Sequence, residues 1–161
     1  MIQATTQNPF TVRINTEANR IDTSVASSQI RHLMKFTNDL DGAIFYYYAA
    51  VEVIYDRYTQ LYFPYNLLNP NLYTGFTNIL PSGYYKYEAY EVSWVGTVTI
   101  SSGNAPATED DVLSPPANDK GIVQGLVAIG KMYLDDNAGT EQVQYTQRQE
   151  PKGTNYIWYG Q

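Results

Sequence analysis

The chain of 161 residues contains no cysteine, one histidine, and only 10 lysines and arginines against 16 aspartates and glutamates. Each shortage removes a class of function. Without cysteine there is neither a disulfide framework nor a thiolate metal site, although the compartment stays open. A Ser-His-Asp or Cys-His arrangement would have to use His32, and no nucleophile elbow accompanies it. A formal charge of −6, with basic residues scattered singly from Arg13 to Lys152, repels phosphate and argues against a nucleic-acid partner. Met1 to Asn15 holds no apolar core, so no secretory leader is expected, and no later run approaches the length of a membrane span, so no membrane partner is expected either. No Asn stands in an Asn-x-Ser/Thr acceptor sequence. Charged residues make up 16% of the chain, low for an isolated soluble domain and consistent with a surface partly covered by neighbours. The length suits one domain with one core.

What the chain has in excess is tyrosine, 16 residues of it. Runs such as Phe45-Tyr46-Tyr47-Tyr48, Tyr62-Phe63-Pro64-Tyr65 and Tyr84-Tyr85-Lys86-Tyr87 are aromatic on both faces of a strand, whereas a half-buried strand needs one apolar face. One face can fill a core; the other needs a partner. Tyrosine brings a rigid ring at low entropic cost and a hydroxyl that tolerates water, so it suits protein–protein contact.

Period-2 alternation organises the rest. Ile30, His32, Met34 and Phe36 alternate with Arg31, Leu33, Lys35 and Thr37, and the turn residues Asn38–Gly42 lead into a strand over Ala43–Ala50, which predicts a hairpin. Val51–Arg57 stays open between strand and helix. Tyr58–Tyr65 alternates again, Asn66–Thr74 reads as a loop, and Pro81-Ser82-Gly83 predicts a turn joining Phe76–Leu80 to a long strand, Tyr84–Trp94. Val95–Ile100 is expected to continue the sheet, and Ser101–Lys120 has the composition of an exposed loop. Gly121–Leu134 is a strand in which Gly125 and Gly130 suggest bulges or close backbone approach; a turn at Asp135–Gly139 and a short strand at Val143–Thr146 follow. Seven to nine strands predict an all-β fold, a single β-sandwich of Ig-like size. The expected organisation is an extended N-terminal arm over residues 1–28 with at most one edge strand (Phe10–Ile14), the sandwich over 29–146 with its loop at 101–120, and an aromatic C-terminal tail over 147–161.

No constellation carries catalysis, so the chain is read as a non-enzyme with no cofactor and no metal. His32 shares a strand face with Ile30, Met34 and Phe36, which favours a structural role. Glu88 and Glu91, three apart on a strand, point to opposite faces and cannot form a glycosidase pair. Asp39/Asp41 and Asp135/Asp136 lack the calcium-loop pattern and read as turn acids; Glu109-Asp110-Asp111 reads as a solvated tip. The aromatic residues least suited to share one core, Tyr46, Tyr48, Tyr65, Tyr84, Tyr156, Trp158 and Tyr159, are the candidate subunit contacts.

The succession Leu33-Met-Lys-Phe-Thr-Asn-Asp39, Arg57-Tyr58-Thr59, Leu80-Pro-Ser-Gly-Tyr-Tyr-Lys-Tyr-Glu-Ala-Tyr-Glu91 and Gly125-Leu-Val-Ala-Ile-Gly-Lys-Met-Tyr133 resembles small virion proteins of tailed bacteriophages over about Ile30 to Tyr133. The resemblance implies a structural particle component of the head decoration, neck or tail-associated kind, located in the virion, whose partners are other virion proteins (capsid, portal, neck or tail subunits) and copies of itself. It brings no active-site motif. The alternative is a carbohydrate- or host-receptor-binding module on the virion surface, using the same rings and the Asn66–Thr74 and Ser101–Lys120 loops.

Overall fold

The period-2 segments fold as eight strands in the computed structural model, which describes residues 1–114 and 119–137. In chain order these are β1 (Ile2–Thr5), β2 (Phe10–Ile14), β3 (Ile30–Asn38), β4 (Ile44–Tyr48), β5 (Val51–Ile54), β6 (Thr59–Phe63), β7 (Gly83–Ser93) and β8 (Ile122–Asp135). They form a five-stranded sheet, β1-β8-β7-β3-β4, packed on a three-stranded sheet, β2-β6-β5, and so a single β-sandwich. Every pairing is antiparallel except β1 with β8.

Between the sheets the alternation dictates the core. Met34 and Phe36 of β3, Tyr47 of β4, Tyr85 and Ala89 of β7 and Val127, Met132 and Leu134 of β8 meet Phe10, Val12 and Ile14 of β2 and Leu61 and Phe63 of β6. Phe10 stacks on Phe63 at 5.1 Å, and Phe36 meets both rings edge-on at 6.3 and 6.2 Å. Each such side chain removed from water contributes about 1.5–3 kcal/mol.

The β3–β4 hairpin forms as its turn residues require. Asn38 Oδ1 accepts the Leu40 and Asp41 N–H groups, and Gly42 takes φ +74°. Val51–Arg57, open between two readings, contributes β5. Three expectations are corrected. Residues 1–28 are not an arm outside the domain: β1 extends the large sheet, and β2 places Phe10, Val12 and Ile14 in the core. Phe76–Leu80 is not a hairpin partner of β7, which lies between β3 and β8; Phe76 and Thr77 make only single bridges, to Asn71 and Tyr65. Val95–Ile100 does not continue the sheet, because past Trp94 the chain turns over the sheet's other face. The strand expected at 143–146, the tail at 147–161 and residues 115–118 of the loop lie outside the described residues.

That turn produces a third layer. The outer face of the five-stranded sheet carries Leu33, Tyr48, Val92 and Trp94, all fully buried. Ala105, Val98 and Ile100 of the segment after β7, with Leu72 and Tyr73 of the segment after β6, cover them. Gly75 makes this cover possible at the edge: it has φ +76°, and a Cβ there would meet Ala50 N at 2.3 Å. Hence both faces of the Phe45–Tyr48 run are covered from within the chain, Phe45 and Tyr47 by the small sheet, Tyr46 and Tyr48 by the loops.

Candidate functional site

The candidate contact rings separate once placed on this architecture. Tyr48 is fully buried, stacks on Tyr73 at 6.4 Å and donates its hydroxyl to the Pro106 carbonyl at 2.7 Å, so it has no surface left for a neighbour. Tyr46 is half-buried and donates to Glu109, which also takes Lys35 Nζ. Tyr65 is half-buried in a bridge to Thr77. Tyr84 is 57% exposed, its ring 4.9 Å from that of Tyr133. Tyr156, Trp158 and Tyr159 lie outside the described residues.

The titratable side chains form two internal pairs. His32 Nδ1 lies 2.7 Å from Glu52 Oε1, and Glu52 Oε2 accepts the His32 backbone N–H at 3.1 Å. Both side chains are buried, so the pair ties β3 of one sheet to β5 of the other. Beside it Glu91, the register partner of His32 on β7, accepts the N–H groups of Ile21 and Asp22 at 3.0 and 2.7 Å. Hydrogen bonds from Ser24 and then Ser93 hold the Asp22 carboxyl below its ordinary range. On the outer face burial pushes the Glu109 carboxyl up, but hydrogen bonds from Lys35 and Tyr46 outweigh it and leave it below the ordinary range. Burial and the hydrogen bond to Glu109 push the Tyr46 hydroxyl up to about 12. Glu109 is thus a latch between loop and sheet rather than a solvated tip. Glu88 and Glu91 do stand on opposite faces, Glu91 with His32 and Glu88 in an ion pair with Lys86 at 3.2 Å. Among the described residues no group of three or more His, Asp or Glu is arranged to hold a metal ion, and no helix is long and apolar enough to cross a membrane.

A groove of about 480 Å³ runs along one flank of the sandwich, lined by Ile14, Asn15, Asn19, Tyr87 and Leu126–Ile129. Two strands leave it open. β1 pairs with β8 only over Met132–Asp135, so among the described residues no strand lies along the preceding part of β8 on the edge away from β7. Among the described residues β2 pairs only with β6, and no strand lies along its other edge. Tyr87, whose hydroxyl burial raises above its ordinary value, also lines a second hollow of about 220 Å³ with Met1, Gln3, Thr11 and Arg13.

Local sequence explains the shape of this flank. β8 carries one extra residue opposite the Ala89–Tyr90 step and one opposite Glu91–Val92, placing Val127 and Gln124 in bulges on either side of Gly125, which has φ +148°. The Val127 carbonyl at the first bulge is capped by Asn19 Nδ2 at 2.9 Å. At Gly130 a Cβ would come within 2.6 Å of the Tyr87 hydroxyl, so glycine admits the ring that floors the groove. The two glycines were the available signal: their reading as bulge and close approach holds, but the groove needs β1 to stop short and β2 to stand opposite. Glu52 was missed because β5 inverts the usual pattern, with Val51 and Val53 exposed and Glu52 turned inward.

Comparison with protein-family models, with curated proteins and with solved structures finds no match to this chain.

Proposed function

We propose that this chain is a non-enzymatic structural protein of a tailed-bacteriophage particle, of the head decoration, neck or tail-associated kind, which holds neighbouring virion subunits and copies of itself. The contact role is supported by one observation above others: the flank groove, where among the described residues two strand edges have no strand partner beside Leu126 and Ile129, 43% and 58% exposed. The particle itself is supported by the resemblance over Ile30–Tyr133. The non-enzymatic reading is favoured by the employment of His32, Glu52, Lys35 and Glu109 in internal pairs that fasten layers together. Val51, Val53 and Tyr62 add exposed apolar surface on the outer face of the small sheet.

Mass spectrometry and imaging of purified phage particles test the reading. The expected result is the chain in symmetric, multiple copies at one position of the head, neck or tail. A second reading, a carbohydrate-binding module, is favoured by the exposed Tyr84 ring against Tyr133. Glycan binding by the isolated chain, lost in Tyr84→Ala, would replace the first reading with the second.

A further inference from the structure

We infer that the flank groove captures an extended, uncharged strand of a neighbouring subunit, which pairs with the open edge of β8 in line with β1. This rests on the reading of the groove as a subunit contact and names the chemistry of what it takes.

The occupant class follows from what is unpaired. A strand edge presents backbone N–H and C=O groups at a fixed repeat, and only another extended backbone matches that repeat. The reach of the guest is bounded at both ends. β1 takes the edge from Met132 onward, and the Val127 bulge, its carbonyl already held by Asn19, closes it on the other side. Ala128–Lys131 remains, a regular stretch opposite Lys86–Ala89 of β7. A guest of four to five residues, on the order of 15 Å long, fits that stretch.

The lining sets the side chains. The groove wall is Ile14, Asn15, Asn19, Tyr87 and Leu126–Ile129, with no charged residue among them. Of the charges close along the chain, Lys131 pairs with Asp39 at 2.5 Å, Arg13 with Gln60 at 3.2 Å and Arg20 with the Asp22 carbonyl and Ser27, each at 2.9 Å, while Glu17, between Asn15 and Asn19, is not part of the lining. A charged guest side chain would therefore lose water without gaining a partner. On the outer face Ile129 and Leu126 offer apolar contact to alternate guest residues, and Asn15 and Asn19 line the groove with amides. Capture of this kind is weak singly and effective when a particle repeats it.

The probe is an end-capped synthetic peptide, Thr-Val-Gln-Val-Thr-Val, added to the full-length chain, with amide hydrogen exchange read over Ala128–Lys131. Added peptide is expected to slow exchange there. Ile129→Lys, at an exposed position whose folding near-ultraviolet circular dichroism checks, is expected to weaken the peptide's affinity about tenfold. Leu40→Lys, in the exposed β3–β4 turn, should leave it unchanged, and a peptide with Glu in place of Gln should bind more weakly. No slowing in the wild-type chain, equal slowing in Ile129→Lys, or preference for the charged peptide overturns the inference. Protection of these amides in the free monomer overturns it too, since the groove is then filled from within. Protection that grows with chain concentration identifies the neighbour as a second copy and supports capture. Absence of the chain from particles removes the virion reading without touching the peptide result, and a failed peptide experiment leaves the virion reading in place.

Discussion

The two faces of the five-stranded sheet solve the same problem by different means. The inner face is covered by β2-β6-β5, whose backbone groups are paired mainly within that sheet, so the contact itself is left to interdigitating rings such as Phe10, Phe36 and Phe63. The outer face is covered by irregular chain, which has no ladder and must satisfy its backbone piecemeal. Asp111 Oδ2 accepts from Ala107 and Thr108, Tyr48 donates to Pro106, and the Asn104 carbonyl takes the Gly121 N–H. Over Leu33, Tyr48, Val92 and Trp94 a loop with enough side-chain anchors closes an apolar strand face from within the chain, whereas Leu126 and Ile129 on the same face stay exposed.

Cutting one large side chain from each face tests the two covers against each other. Phe36→Ala inside and Trp94→Ala outside should each cost about 3–5 kcal/mol in denaturant unfolding. A Trp94→Ala loss under about 1 kcal/mol, with Phe36→Ala as expected, would show that the loop layer unfolds separately and is no second core.

The buried pair beside the inner core sharpens the comparison. His32→Leu leaves Glu52 without its partner and should cost about 3–5 kcal/mol. His32→Gln keeps an amide donor for Glu52 and should cost about 1–2 kcal/mol. Equal stability of the two variants in thermal melts would mean that ring packing, not the carboxylate contact, makes the link between sheets.

On the outer face, Gly121→Ala drives a methyl to within 2.6 Å of the Trp94 ring, and displacing it should cost about 1–3 kcal/mol. The smallest effect belongs to the latch, where Glu109→Gln should lose about 1 kcal/mol and speed proteolysis of the loop. The pH dependence follows from the lowered Glu109 carboxyl. Its pKa is lower folded than unfolded, so its stabilisation is present above the ordinary glutamate range and is lost as pH falls through the folded value. Loop cleavage rising on acidification in the wild-type chain, but not in Glu109→Gln, is the expected outcome; identical pH profiles would remove the latch.

Local chemistry made part of this molecule legible. The β3–β4 hairpin follows from Asn38 and Gly42, whose turn geometry needs nothing distant, and β7 from an alternation long enough to override ambiguity. Gly83 also takes a positive φ, +140°, as the Pro-Ser-Gly turn suggests, although the partner assigned across that turn was wrong. The candidate contact site was less legible. Tyr48 reads as a ring unsuited to share one core, and it does lie in the outer cluster, yet what covers it, Tyr73 and Pro106, stands 25 and 58 positions away.

The sequence by itself determined that the tyrosine-rich strands carry rings on both faces, because period-2 geometry sends consecutive rings to opposite sides whatever the fold. Only the tertiary structure decided who buries them. Val95–Ile100, expected as strand, serves as cover, and Glu109, expected as a solvated tip, serves as a latch, since each outcome depends on distant groups such as Lys35 and Tyr46. The groove belongs to the tertiary level for the same reason: an unpaired edge is a property of where β1 ends and β2 stands, and no window of sequence contains both.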